Sequence, residues 1–125
     1  MAAIKTSISP WLTVSNGKKA IQFYQSVFGA VEIYHLDGPD DTVVSKLSID
    51  GAEFWLSDGD TNERESNIRL VLTVGDPETV FSKAIEGGAT EVFPVGEGHG
   101  WKLGRVIDPF GHHWEIGHEI DNEKT

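Results

Sequence analysis

Apolar and polar positions along the first half of the chain predict one helix among four strands. Residues 8–14 read as a strand in which Trp11 and Thr13 alternate with Pro10, Leu12 and Val14, and Pro10 places it at a sheet edge or a strand start. Ala20, Ile21, Tyr24, Val27 and Phe28 then recur at three- and four-residue spacing. That spacing predicts a helix of about three turns, capped by Asn16 and stopped at Gly29. Strands are predicted over 31–36, 42–49 and 52–57, the last two joined through Asp50-Gly51, a strong hairpin signal. Residues 58–66 contain no apolar side chain, which marks a linker between units and a candidate mobile flap.

After that segment the pattern starts again. A strand over 70–74 leads to Asp76-Pro77-Glu78, which combines a cap, a first-turn proline and an acidic first turn. Val80, Phe81, Ala84 and Ile85 form the expected buried stripe, Gly87-Gly88 ends the helix, and strands are predicted near 90–94, 103–108 and 113–117. The halves superpose at an offset of sixty residues: Leu12-Thr13-Val14 on Leu72-Thr73-Val74, Asn16 on Asp76, Gly51 on Gly111, Phe54 on Trp114 and Leu56 on Ile116. Only Phe28-Gly29-Ala30 against Gly87-Gly88-Ala89 needs a one-residue slip. The common register argues for a duplicated βαβββ unit, 7–57 and 67–119 with a tail over 120–125, whose two curved sheets leave a cleft for a small molecule.

Composition narrows the chemistry. At 125 residues the chain is one typical domain, and the absence of cysteine removes disulfides, thiolate zinc sites and thiol nucleophiles. A formal charge of −10 repels nucleic acid and anionic membrane surfaces, favours cationic ligands, and also serves solubility alone. No apolar run is long enough to span a bilayer and no export signal opens the chain, so a cytoplasmic protein is expected.

Candidate chemistry centres on residues 108–118, Asp-Pro-Phe-Gly-His-His-Trp-Glu-Ile-Gly-His. Asp108, Pro109 and Gly111 predict a tight turn. In the strand that follows, Trp114 and Ile116 share one face, while His113, Glu115 and Gly117 share the other. Trp114 is therefore expected in the core. The adjacent His112 and His113 point to opposite faces and cannot chelate one ion together. A metal at His113 and Glu115 would need a further ligand such as His35 or His99, and no histidine pair has the helical i, i+4 spacing of a zinc site. The glycine-rich segment 96–104 lacks a Walker spacing and reads either as a lip carrying Trp101 as a lid, with Lys102 or Arg105 open to an anionic group, or as a long hairpin.

The paired βαβββ pattern, the helix Ala20-Ile21-Gln22-Phe23-Tyr24 followed by Phe28-Gly29-Ala30, and Asp108-Pro109-Phe110-Gly111-His112-His113-Trp114 resemble the vicinal oxygen chelate superfamily. The likeness is nearest to its glyoxalase and bleomycin-resistance type, PhnB-like branch, and covers about residues 7–119. The resemblance implies an α+β fold of two tandem βαβββ units around a cleft, and a homodimer with the cleft formed within one chain or shared. It leaves the reaction open, because such proteins include isomerases, dioxygenases and drug-binding proteins.

The resemblance further implies four metal-ligand places, which fall at Ser9, Trp55, Arg69 and Glu115. Only Glu115 suits a divalent ion; tryptophan offers no lone pair and arginine is a fixed cation. No cofactor is therefore expected, and Arg69 is expected to pair with Glu115, either as part of a binding site or as a structural remnant. Trp11, Trp55 and Trp101 are expected to line the cleft with Arg69 and Glu115 and to stack on a planar or cationic ligand. Two functions follow: a binding protein of the drug-sequestering type, or a lyase or isomerase of glyoxalase type that uses a metal or Glu115 as its base.

Overall fold

The structure, a computed structural model, describes residues 7–60 and 68–120. The expected linker and flap at 58–66 fall largely within 61–67, outside the described residues, as does the tail beyond 120. The elements run β1 (Trp11–Val14), α1 (Gly17–Phe28), β2 (Val31–Asp37), a 3₁₀ turn (Pro39–Asp41), β3 (Val43–Ile49) and β4 (Ala52–Asp58). The second series is β5 (Arg69–Thr73), α2 (Pro77–Glu86), β6 (Thr90–Gly98), β7 (Trp101–Ile107) and β8 (His113–Glu119). They build two four-stranded sheets, ordered β1-β4-β3-β2 and β5-β8-β7-β6, so each half is the expected βαβββ unit. Among the described residues no helix is long and apolar enough to cross a membrane.

Local chemistry sets the helices. The Asn16 side chain accepts the Lys19 N–H at 3.2 Å, and Gly29 ends α1 in the left-handed region at φ 72°. Asp76 caps α2 through Thr79 N–H at 3.3 Å. The α1 stripe is buried as expected, apart from a half-buried Phe28, and Phe23 joins it. In α2 the expected stripe is trimmed: Phe81 and Ala84 are buried, but Ile85 is 36% exposed. With ten residues against twelve in α1, the shorter α2 covers less of its sheet.

The strands keep the register that the repeat implies. β1 runs parallel to β4 with Trp11 beside Trp55 and Leu12 beside Leu56, and β5 runs parallel to β8 with Val71 beside Glu115 and Leu72 beside Ile116. Both residues of a pair share a face, and successive residues along each strand alternate between the helix and the opposite side, so each sheet has a helix-covered face and an open face. Strand β4 extends one residue further than expected, because Asp58 is held in place. Its two oxygens accept Gly17 N–H and Val43 N–H, both at 2.8 Å, and so satisfy a free donor at the start of α1.

The helix-covered faces join the two units. Tyr24 of α1 lies against Phe54 of β4 and Trp114 of β8, with ring centroids 5.4 and 5.7 Å away, and Phe28 approaches Trp114 to 4.7 Å. At the centre Asp108 is 3% exposed. One of its oxygens accepts the Tyr24 hydroxyl at 2.5 Å and the Trp114 indole N–H at 2.8 Å. The other accepts the backbone N–H groups of Phe110 and His112, both at 2.9 Å. Burial, and then the neighbouring Asp108 charge, push the Tyr24 hydroxyl well above the ordinary tyrosine range, so it stays a donor.

Asp108→Ala strands those buried donors and is expected to lower stability by about 3 kcal/mol or more, whereas Tyr24→Phe removes one donor and costs about 1–2 kcal/mol. Urea denaturation measures both. Equal, near-zero shifts would show that Asp108 does not hold the junction.

Candidate functional site

The open face of each sheet carries one row of four cross-strand neighbours, and the rows correspond. In the first sheet, pairing aligns Trp11, Trp55, Lys46 and Tyr34 across β1, β4, β3 and β2. In the second it aligns Val71, Glu115, Arg105 and Phe93 across β5, β8, β7 and β6. Opposed residues in neighbouring strands share a face, so each row is a continuous strip of side chains.

The first row is aromatic. Trp11 stacks on Trp55 with centroids 5.1 Å apart and planes 10° apart, and its indole N–H donates to Ser57 Oγ at 2.9 Å. Tyr34 meets Trp55 edge-on at 5.5 Å. Lys46 Nζ sits 5.0 Å from the Trp55 ring centre and pairs with Glu53 at 2.9 Å. Trp55 thus stacks with Trp11 and already holds a cation of the protein's own. Trp11, 53% exposed, presents the accessible ring.

The second row is charged. Arg69 Nε lies 2.9 Å from Glu115 Oε2, so the expected ion pair forms. Arg105 Nη1 lies 3.9 Å from the same oxygen, while Arg105 Nε donates to His113 Nδ1 at 3.2 Å. Two guanidiniums therefore converge on one carboxylate, and a histidine accepts from the second of them. Glu115 is largely buried and Arg69 half exposed. This pair and the Trp11–Trp55 pair occupy different sheets, and among the described residues no hydrogen bond, ion pair or ring contact joins them.

Trp101 stands apart from both rows. Segment 96–104 is a hairpin, the second of its two readings: β6 ends at Gly98, His99 and Gly100 turn at positive φ, and β7 starts at Trp101. Trp101, Leu103, Phe93 and Pro94 line a hollow of about 420 Å³ on this hairpin. Trp114 is 3% exposed and belongs to the core, as its alternation with Glu115 implies.

The neighbourhood of Glu115 does not suit a divalent cation. Its accepting oxygen faces two fixed positive charges, and the Nδ1 of His113 is taken by Arg105. His35 is held by Glu32 and Asp37, His112 donates to the Thr13 carbonyl, and His118 donates to the Glu119 carbonyl. Among the described residues no group of three or more histidine, aspartate or glutamate side chains could hold a metal ion.

Sequence reasoning missed Lys46 and the approach of Arg105 to Glu115. A uniform offset of sixty sets Ser45 opposite Arg105, whereas strand pairing makes Lys46 the equivalent of Arg105, at an offset of 59. The slip at Ala30 and Ala89 was the available signal. It persists through β6 and β7 and closes only in the longer β7–β8 turn.

Comparison with known proteins agrees with this architecture. The glyoxalase-like domain family model matches residues 11–117. An uncharacterized protein of Mycobacterium bovis is 33% identical over 131 aligned residues, covering 94% of this chain and 86% of that one. The fosfomycin resistance protein FosX of Listeria monocytogenes superposes with a TM-score of 0.78 at 16% identity, covering 94% and 96% of the two chains. A PhnB protein from Bacillus cereus gives 0.75 at 20% identity, covering 90% and 99%. At such identities these structures show the fold alone.

Arg69 is half exposed, which limits what its ion pair contributes. A double-mutant cycle of Arg69→Met and Glu115→Gln, read by denaturation, is expected to give a coupling of about 0.5–1 kcal/mol that shrinks with salt. The His35 imidazole is held first by the Glu32 carboxylate at 2.6 Å and then by Asp37 at 2.8 Å, which raises its pKa above the ordinary histidine value. Its contribution to stability is thus present in acid and lost as pH rises through that elevated pKa. An NMR titration of the ring should show a midpoint above that of a free histidine.

Proposed function

The chain belongs to the glyoxalase-like domain family of the vicinal oxygen chelate superfamily, and from that premise we propose that it binds a small molecule at its open sheet faces without the family's usual metal centre. The carrying observation is that Glu115, the single metal-suited residue among the four ligand places implied by the resemblance, is engaged by Arg69 at 2.9 Å with Arg105 behind it. A guanidinium is a permanent cation, so it balances the carboxylate without a bound ion. Trp11, Trp55 and Trp101 supply stacking and apolar surface on the two sheets.

We further propose a cytoplasmic homodimer. Trp11, Tyr34, Leu36 and Val71 all lie on β1, β2 or β5 with roughly half of their surface exposed, more apolar area than an isolated sheet face usually leaves in water. A two-fold partner would cover part of it.

A lyase or isomerase of glyoxalase type is the alternative. Base catalysis by Glu115 would require substrate to displace Arg69 from its oxygen, since a base must reach the proton it abstracts.

Native mass spectrometry of protein purified without added metal, joined to tryptophan fluorescence, tests the dimer, the metal-free site and ligand binding. The expected result is a dimer mass with no stoichiometric metal, together with tryptophan quenching by added aromatic compounds that is insensitive to chelator. A bound divalent ion at one per chain, or methylglyoxal-adduct turnover abolished by chelator, would overturn the metal-free reading.

A further inference from the structure

We propose that the open face of the second sheet selects a flat, apolar molecule bearing one anionic group, with Arg105 as the residue that receives the anion. The proposal rests on the small-molecule reading above and assigns that site a ligand class. It reverses the preference for cations that the net charge of −10 suggests.

Local charge decides the sign. Arg69 and Arg105 bring two positive charges against the single negative charge of Glu115, and His113 accepts a proton donor through Nδ1. Among the described residues, the cluster of Arg69, Arg105 and Glu115 is left with one positive charge in excess. Arg69 pairs closely with Glu115 at 2.9 Å, whereas the Arg105 contact at 3.9 Å is too long for a hydrogen bond. Arg105 donates to His113 through Nε, and among the described residues neither terminal amino group is hydrogen-bonded, with Nη1 only in ion-pair range of Glu115. The Arg105 side chain is 25% exposed, so the guanidinium is open to solvent in part. Such a fork matches a carboxylate or phosphonate edge. The diffuse acidity of the whole chain is screened over about 8 Å at physiological salt, so at contact the guanidiniums outweigh it.

An apolar berth adjoins the fork. Phe93 lies directly opposite Arg105 across β6 and β7 and also lines the hollow of about 420 Å³ with Pro94, Trp101 and Leu103. Leu103 precedes Arg105 by two residues on the same strand face, which places them about 7 Å apart. The volume suits a two-ring body. In the first sheet the equivalent cation, Lys46, is spent on Trp55 and Glu53. The two rows therefore differ in availability as well as in residue type.

The test is calorimetric titration with three matched probes: 2-naphthoate, 2-naphthalenemethanol and 2-naphthylmethylamine. Naphthoate is expected to bind at least about tenfold tighter than the alcohol, and the amine weakest. Arg105→Met, which keeps the apolar stem, should remove the advantage of naphthoate and leave the alcohol unchanged; Arg105→Lys should restore part of it. Glu115→Gln deletes the competing carboxylate and should tighten naphthoate several-fold. Thermal melting of each variant separates loss of binding from loss of fold. Equal affinity for naphthoate and alcohol, or preference for the amine, overturns the ligand class while the small-molecule site stands. Failure of all three probes to bind overturns the class and the reading beneath it.

Discussion

The buried carboxylate of Asp108 is the constraint on which the rest of the molecule depends. Four donors point at its two oxygens: two backbone amides that close the turn before β8, the indole of Trp114, and the hydroxyl of Tyr24 from the other half of the chain. A carboxylate taken out of water is costly unless its oxygens are satisfied, so the turn, the strand and the helix must all be in place together. That requirement fixes β8 relative to α1. It also fixes which face of β8 looks outward, because Trp114 is held inward and Glu115 must then point the other way.

On that scaffold the two units share geometry and differ in chemistry. Each open face presents a row in which a cation on the third strand in sheet order stands between an aromatic residue on the far edge and the residue equivalent to Trp55 or Glu115. In the first row the central residue is Trp55, so the cation rests on a ring beside stacked indoles. In the second it is Glu115, so two guanidiniums gather at a carboxylate. Duplicated folds place equivalent positions without dictating what occupies them, which is why family membership fixes the architecture and leaves the activity to the side chains.

That division is visible in the comparisons. Solved structures at 16–20% identity superpose along nearly the whole chain. Such agreement needs only the spacing of buried positions to be kept, because packing tolerates apolar exchange when pattern and volume are preserved. A binding site is less forgiving, since a single exchange of a charged side chain alters the local charge.

The sequence by itself determined the elements, the caps, the repeat and the sidedness of each strand. These depend on the periods of side-chain direction and on the backbone preferences of residues such as Asn16, Gly29 and Asp76, all of which are local. The expectation that Arg69 meets Glu115 came from the resemblance, which mapped both onto ligand places of one site, and the repeat agreed with that mapping without giving a distance. Only the tertiary structure decided what sits across a strand boundary. Arg105 meets Glu115, Lys46 covers Trp55 and Tyr24 reaches Asp108 because of pairing registers and a helix packing that join residues far apart in the chain. A one-residue slip is invisible to a uniform offset, yet it changes which side chain faces the partner strand. The chemistry of the open faces was for that reason settled by strand register, and the fold by pattern.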